Sequence, residues 1–262
     1  MLFILESEMQ EYFERTPKGF AEIMSLRGEV YRELEGRRTQ KIVLGQKNYF
    51  IKQHFGVGWK EIIKNLFQLR LPVISARNEW HALKILKALK IPTLEIVAYG
   101  CKGINPARMH SFLMTRELPR HRSLEDFCKD WAKNPPQFKL KKNLIKEVAR
   151  IARQLHQHGM NHRDFYICHF LLHLPKDNDF PLLYLIDLHR AQIRKRVPVR
   201  WRIKDLAGLY FSSKEIGLTT RDLLRFMKEY CNKSLRESLI RESTTWIKVK
   251  KRGDALYRKQ SK

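Results

Sequence analysis

The sequence predicts an α+β protein of two lobes, a small β-rich N-terminal lobe and a larger helical C-terminal lobe. Short strand-like apolar runs occur between residues 28 and 115, whereas helical periodicity dominates after residue 123. We therefore expect an N-terminal lobe at 1–117 and a C-terminal lobe at 118–262. At 262 residues the chain has ample material for one large core or two.

Strand signals come first along the chain. Residues 28–38 alternate apolar and charged side chains, which is typical of a half-buried strand. Apolar-rich runs at 41–44 and 49–52 flank Gly45-Gln-Lys-Asn48 and predict a hairpin. Further strands are expected at 94–99 and 111–115, and Phe13 and Phe20 are expected to pack on the same lobe.

Two helices are predicted within this lobe. Residues 59–71 place an apolar stripe on one helical face, with Pro72 ending the helix. The stripe consists of Trp59, Ile62, Ile63, Leu66 and Phe67. Core packing is the favoured interpretation, and a basic amphipathic helix in a membrane interface is the alternative. Residues 77–90 predict a second helix with Glu79 in its first turn, where an acid complements the helix dipole.

The C-terminal lobe should be mostly helical. A long helix is predicted at 139–158 and ends at Gly159, and another begins at Thr219. Apolar runs at 169–174 and 182–186 surround a turn-rich segment at 175–181 and predict a second hairpin. Asp205 lies in a helical segment, either as a surface acid or as a buried support of the preceding loop. The basic tail from Lys248 is expected to be helical and then frayed.

The composition limits the class of partner and the cellular compartment. The formal net charge is +25, so the partner should be anionic: nucleic acid, a membrane surface or a phosphorylated substrate. The four cysteines show no paired spacing, which favours reduced, cytosolic thiols. No apolar run is long enough to span a bilayer, and the N-terminus lacks the basic start of a signal peptide.

The segment from Asn161 to Arg190 carries the chemistry. It contains His162-Arg163-Asp164 before the predicted hairpin and Asp187 after it. Two carboxylates on one rigid hairpin suit phosphoryl transfer from ATP, with one orienting a hydroxyl and the other holding Mg²⁺. His-Arg-Asp belongs to the protein-kinase signature set, which makes the predicted fold protein-kinase-like. Asp164 is therefore the candidate catalytic residue, and Asp187 the candidate metal ligand.

Three further residues complete that prediction. Lys52 ends a strand, as does the lysine that contacts ATP phosphates in kinases, and Glu79 is the acid available to pair with it. His169 stands where protein kinases place a metal-binding asparagine, although imidazole is a poorer Mg²⁺ ligand than a carboxylate. The glycine-rich motif Gly-x-Gly-x-x-Gly, which covers the ATP phosphates in protein kinases, does not occur. The phosphates must therefore be covered by other backbone groups or by Arg37 and Arg38.

Four stretches resemble the lipopolysaccharide core heptose(I) kinase family: 61–66, 161–173, 186–192 and 204–213. The resemblance extends from about Gly28 to Tyr230. It implies a Gram-negative enzyme that moves the γ-phosphoryl group of ATP to a hydroxyl of the first inner-core heptose. By the family pattern Asp164 matches the catalytic aspartate, Lys52 the lysine that contacts phosphate and Asp187 the aspartate that binds metal.

The resemblance also implies the surroundings of the enzyme. The acceptor is an anionic, lipid-anchored saccharide, so the protein should be cytoplasmic and peripheral on the inner membrane. An acidic acyl-carrier-type protein is a further implied partner.

Three alternatives stay open at this point. The acceptor could instead be another envelope saccharide or a protein hydroxyl, because the motifs specify the donor chemistry alone. A histidine-rich cluster between His156 and His189, with Cys168, contains zinc-ligand residue types but lacks finger spacing. The charge is compatible with a nucleic-acid-binding module, yet no recognised binding motif is present.

Overall fold

The computed structural model describes residues 1–34, 36–67, 73–173 and 182–260, with all side chains in these ranges except those of Glu61, Asn65 and Leu66. Residues 68–72, which include the end of the first predicted helix, lie outside the described residues. The predicted turn at 175–181 and Lys262 of the tail also lie outside them. The chain forms two compact units, Met1–Ile85 with Thr93–Leu118, and Leu86–Pro92 with Pro119–Lys262.

The first unit is built on a six-stranded antiparallel sheet with the order β1-β5-β6-β4-β3-β2. Its strands are β1 Leu2–Leu5, β2 Glu29–Leu34, β3 Arg37–Leu44, β4 Lys47–Phe55, β5 Ile96–Lys102 and β6 His110–Arg116. Its helices are α1 Pro17–Ser25, α2 Gly58–Phe67 and most of α3 Arg77–Ala88, with short 3-10 turns at Ser7–Met9 and Pro106–Arg108.

The core of this unit lies between α1 and one face of the sheet. Phe13 and Phe20 are both buried in it, as predicted, together with side chains such as Ile51 and Phe112. Gly100 is required here, because a Cβ would lie 2.5 Å from the Phe112 ring. The β3–β4 hairpin is confirmed, although its turn is tighter than the sequence indicated.

Two sequence-based expectations about burial are wrong. Strand β2 is exposed along its whole length rather than half-buried, because it is an edge strand that pairs with β3 alone. On α2, Ile62 packs in a small apolar cluster with Val57 and Ala107, but Trp59, Ile63 and Phe67 are 54%, 47% and 86% exposed. Periodicity showed correctly that these side chains share a face, but it could not show which part of that face is covered.

The second unit is mainly helical. Its helices are α4 Leu124–Cys128, α5 Phe138–Gln157, α6 Val199–Ser212, α7 Thr220–Cys231, α8 Leu235–Arg241 and α9 Ser243–Gln260. Its strands are β7 His121–Ser123, β8 Met160–Asn161, β9 Phe170–His173, β10 Leu182–Leu185 and β11 Gln192–Ile193.

Helix α5 anchors this unit. Its apolar face is buried, including Leu144, Val148 and Leu155, and the helix packs on α7, which begins at a Thr219–Asp222 capping box. Strands β9 and β10 pair antiparallel, so the strands of the second predicted hairpin are confirmed. Among the described residues, no helix is both long and apolar enough to cross a bilayer.

Candidate active site

Lys52 and Glu79 form an ion pair in the first unit. The Lys52 Nζ atom lies 2.6 Å from Glu79 Oε1, and the glutamate is 4% exposed. Lys52 is in the middle of β4, where both neighbouring strands hold the backbone, and Glu79 is in the first turn of α3. Both side chains therefore come from regular elements, and the lysine ammonium is held by a buried carboxylate.

The second unit contains the His-Arg-Asp loop, and a buried carboxylate supports it. Asp205, in α6, is fully buried and accepts hydrogen bonds from the backbone N–H groups of His162 at 2.6 Å and Arg163 at 2.9 Å. His156 Nε2 lies 3.3 Å from the same carboxylate. Of the two interpretations of Asp205, the buried support is correct and the surface acid is wrong.

This support holds the loop in an unusual backbone conformation. Arg163 has a φ of +75°, which is costly for a residue with a Cβ and persists only where the surroundings enforce it. The loop also packs closely on α6, since a Cβ at Gly208 would lie 2.7 Å from the Phe165 carbonyl oxygen. His162, the first residue of the loop, is buried, and this burial lowers the pKa of its imidazole.

Asp164 follows directly and is held by an arginine. The Arg190 Nη1 atom donates to both carboxylate oxygens of Asp164, at 3.0 and 2.9 Å. Its Nε and Nη2 atoms donate to no acceptor among the described residues, and the Asp164 side chain remains 19% exposed. Sequence reasoning missed Arg190, because it lies 26 positions from Asp164 and the contact forms only in the folded chain.

Asp187 and His169 lie next to each other. Asp187 has a φ of +60° at the end of β10, and its Oδ2 atom is 3.5 Å from His169 Nε2. His169 Nδ1 is 2.6 Å from the Asp164 carbonyl oxygen, which can only accept, so Nδ1 carries the proton. In the neutral ring Nε2 then has a lone pair that faces the carboxylate, an arrangement that a cation between them would relieve.

These two residues fit a Mg²⁺ site of the kind that proteins use with phosphorylated substrates. Mg²⁺ takes one or two carboxylates and completes its octahedron with water and substrate phosphate. Asp187 supplies such a carboxylate, and His189 Nδ1, 2.6 Å from its Oδ1 atom, orients it. Within the described ranges no three His, Cys, Asp or Glu side chains are arranged to hold a metal by themselves.

A separate apolar cavity of about 160 Å³ lies in the second unit. It is lined chiefly by aliphatic and aromatic side chains of α4–α7 and α9, including Leu124, Trp131, Val148, Leu209, Phe226 and Trp246. Burial among such groups raises the pKa of Cys128, another lining residue, to about 12. The cavity therefore suits an apolar ligand rather than a nucleotide.

Comparisons with known proteins agree with this geometry. A family model described as the lipopolysaccharide kinase (Kdo/WaaP) family matches residues 21–230. The chain is 53% identical over 227 residues to a lipopolysaccharide core heptose(I) kinase WaaP of Escherichia coli K12, covering 86% of each chain. It is 46% identical over 260 residues to the WaaP of Pseudomonas aeruginosa, covering 97% of each.

A solved structure is also similar. It is described as WaaP in complex with acyl carrier protein, is 43% identical, and superimposes with a TM-score of 0.83 over 98% of this chain and 100% of that one. Similarity in both sequence and structure thus extends across the whole chain.

Proposed function

The chain belongs to the lipopolysaccharide kinase (Kdo/WaaP) family, and from this we propose that it phosphorylates the first heptose of the lipopolysaccharide inner core, with ATP as donor and Asp164 as the catalytic residue. The observation that carries the proposal is the Asp164 carboxylate, which is partly exposed to solvent. It lies on a loop whose backbone donates two hydrogen bonds to the buried Asp205. A rigid carboxylate in this setting can accept a hydrogen bond from an acceptor hydroxyl and aim its oxygen at a phosphorus atom.

Arg190 positions that carboxylate. Its two hydrogen bonds to Asp164 restrict the rotation of the carboxylate, so the heptose hydroxyl meets the carboxylate oxygens in one orientation. Phosphoryl transfer depends mainly on positioning and electrostatic stabilisation, because the transition state is loose and its charge is spread over the equatorial oxygens. The remaining donors of Arg190 could stabilise that charge.

On the donor side, Lys52 would bind the phosphates of ATP, with Glu79 fixing its ammonium group. Asp187 would be the principal ligand of Mg²⁺, with His169 as a second ligand and His189 orienting the carboxylate. The metal supplies charge neutralisation of the phosphates. The roles of Lys52, Glu79, Asp187 and His169 are those that the sequence predicted, and they remain proposals.

Transfer of labelled phosphate tests the proposal. Purified protein, ATP labelled in the γ position and core saccharide lacking phosphate should give a labelled saccharide. A truncated acceptor that keeps the first heptose should still be labelled, whereas an acceptor that lacks this heptose should not be. Hydrolysis of ATP without labelled saccharide, or labelling without any heptose, would contradict the proposal.

We also propose an acyl carrier protein as a partner, since the solved relative is bound to one. The net charge of +25 favours an acidic carrier, and the apolar cavity of the second unit suits the acyl chain that such a carrier presents. Carrier loaded with an acyl chain should raise the melting temperature of the protein, whereas unloaded carrier should raise it less. Equal effects of loaded and unloaded carrier would remove the role of the cavity.

Attachment to the cytoplasmic face of the inner membrane is proposed as peripheral. Six basic residues of the tail are exposed on α9: Lys248, Lys250, Lys251, Arg252, Arg258 and Lys259. Each is worth on the order of 1 kcal/mol near an anionic surface. In the other unit, the exposed α2 side chains Trp59, Ile63 and Phe67 offer apolar insertion.

Vesicle binding tests attachment. We expect salt-sensitive binding to vesicles that contain anionic lipid and little binding to neutral ones. Reversing the tail charges to Glu should lower activity on membrane-embedded acceptor and spare activity on delipidated saccharide. Trp59→Ala with Phe67→Ala is the matched variant for the apolar contribution. Equal binding by wild type and the charge-reversed tail would eliminate the tail as the attachment site.

A further inference from the structure

Trp201, in the first turn of α6, is surrounded by cations. Four basic groups lie within 6 Å of its ring centroid: Arg163 at 5.3 Å, Arg200 at 5.4 Å, Lys204 at 5.5 Å and Arg194 at 5.8 Å. They come from three parts of the chain, namely the His-Arg-Asp loop, the segment after β11 and α6 itself. Stacking on the indole holds these positive charges in place, but it does not neutralise them.

The carboxylates that face this cluster are already engaged. Asp164 and Asp205 are the acids that act electrostatically on Arg163 and Lys204. Asp164 accepts from Arg190, and Asp205 accepts from two backbone N–H groups. Burial lowers the pKa of both Arg163 and Lys204, and neighbouring arginines lower it further.

Unused hydrogen-bond donors lie in the same place. Among the described residues, Arg163 Nε, Asn161 Nδ2 and Trp201 Nε1 are buried and have no acceptor. Arg163 is 8% exposed and Asn161 is fully buried, so bulk water does not readily satisfy them. Buried donors without acceptors are costly and rare, and one bound anion would accept from several of them at once.

Helix α6 adds to the positive potential. It begins at Val199 after Pro198, and no side chain caps its first turn. The positive end of a 14-residue helix therefore opens beside Trp201. Cations, buried donors without an acceptor and an uncapped helix end thus lie close together, and each of these features attracts an anion.

We propose that the Trp201 cluster binds an acidic group of the acceptor saccharide, a carboxylate or a phosphate, and thereby places the neighbouring hydroxyl at Asp164. The assignment to the acceptor rather than to ATP follows from position, because Arg163 directly precedes Asp164 in the loop that receives the hydroxyl. Planar guanidinium groups match either acidic group with paired hydrogen bonds. The inference rests on the proposed transfer to lipopolysaccharide core.

Steady-state kinetics with Arg200→Gln and Lys204→Gln tests the inference. Losing one charge-assisted hydrogen bond should raise the KM for the acceptor about tenfold or more, while the KM for ATP stays within about twofold. Lys204→Arg should restore most of the loss, since it keeps the charge. Arg221→Gln, an exposed arginine on α7, is the matched control and should leave both KM values unchanged.

Modified acceptors identify the acidic group. The variants are compared on intact core saccharide, on saccharide with its carboxylates reduced to alcohols, and on dephosphorylated saccharide. The variant effect should shrink on the acceptor that lacks the bound group. An unchanged effect on both modified acceptors, an unmoved acceptor KM, or a raised KM for ATP would overturn the inference. Absence of transfer by wild type would instead defeat the proposed function.

Discussion

The two units hold their candidate site residues by different means. In the β-rich unit, Lys52 and Glu79 come from the middle of β4 and the first turn of α3, where backbone hydrogen bonds of regular elements position them. In the helical unit, Asp164 and Asp187 lie outside regular elements, next to or at residues with positive φ. The loop that carries Asp164 is held by a single buried carboxylate, Asp205, which accepts from two of its backbone N–H groups.

This difference determines how each half should fail. Removing a side chain from a strand or helix leaves its backbone in place, so the damage in the first unit should stay local. Removing the acceptor of two buried N–H groups frees a strained loop from its support. In the second unit such a change should therefore lower both the stability of the protein and its activity. Mutations that separate these two behaviours test the comparison.

The largest effect is expected from Asp164→Asn. A catalytic base and orienter contributes about 10²–10⁴-fold, and the amide cannot accept the hydroxyl proton. Folding should stay near wild type, because this loop carboxylate is partly exposed and the amide has the same size. Transfer of labelled phosphate and thermal melting are measured together. Wild-type turnover in the variant would refute the assignment of the loop.

Asp205→Asn should combine loss of stability with loss of activity. The amide replaces a carboxylate that accepts from His162 N and Arg163 N, so the free energy of unfolding should fall by about 2–4 kcal/mol. Chemical denaturation gives this value, and Asp130→Asn, an exposed acid, is the control with an expected change below about 0.5 kcal/mol. A stable Asp205→Asn with full activity would show that the loop does not need this support.

The Lys52–Glu79 pair should show local coupling instead. Lys52→Ala should weaken ATP binding or its productive alignment, and Glu79→Ala should reproduce part of that defect. Residues that act as a unit are non-additive, so the double variant should lose less than the sum by about 0.5–3 kcal/mol. Nucleotide binding and kcat/KM of the three variants provide the cycle. Strictly additive losses would remove the case for the pair.

The same contrast explains what the sequence could predict. Lys52, Asp164 and Asp187 were singled out as candidates because each lies in or beside a motif whose chemistry requires that residue type, and Glu79 because it is the acid available on the following helix. Arg190 was not, because an arginine in a basic segment has no local feature that marks it as the partner of a carboxylate 26 positions earlier. Such pairings depend on tertiary packing, which residue spacing does not encode.

Surface exposure was the other limit. Alternation in β2 and the apolar stripe of α2 were real patterns, yet both elements expose apolar side chains. Periodicity reports which residues share a face of an element, whereas burial depends on what the rest of the chain places against that face. Membership of the sheet and position at its edge are separate properties, and the second is decided by topology.

The smallest predicted effect concerns the ion pairs of Asp254, which lies on α9 of the helical unit. Asp254, on α9, accepts hydrogen bonds from Lys214 and Lys250, and these bonds lower the pKa of its carboxyl from 3.8 to about 2. A carboxylate with a depressed folded-state pKa contributes stability above the unfolded pKa and loses it as the pH falls through the folded one. The carboxylate is partly exposed, so solvent screening reduces its contribution to about 1 kcal/mol.

Asp254→Asn should therefore lower the free energy of unfolding by about 1 kcal/mol at pH 6 and by progressively less as the pH falls from about 4 toward 2. Chemical denaturation of wild type and variant across this range measures the difference. Lys250→Gln, which removes one of the two donors, should show a smaller difference with the same direction. Catalysis should be unaffected, since the pair joins α9 to the end of α6 rather than to the Asp164 loop. A pH-independent difference would mean that Asp254 acts through packing and not through its charge.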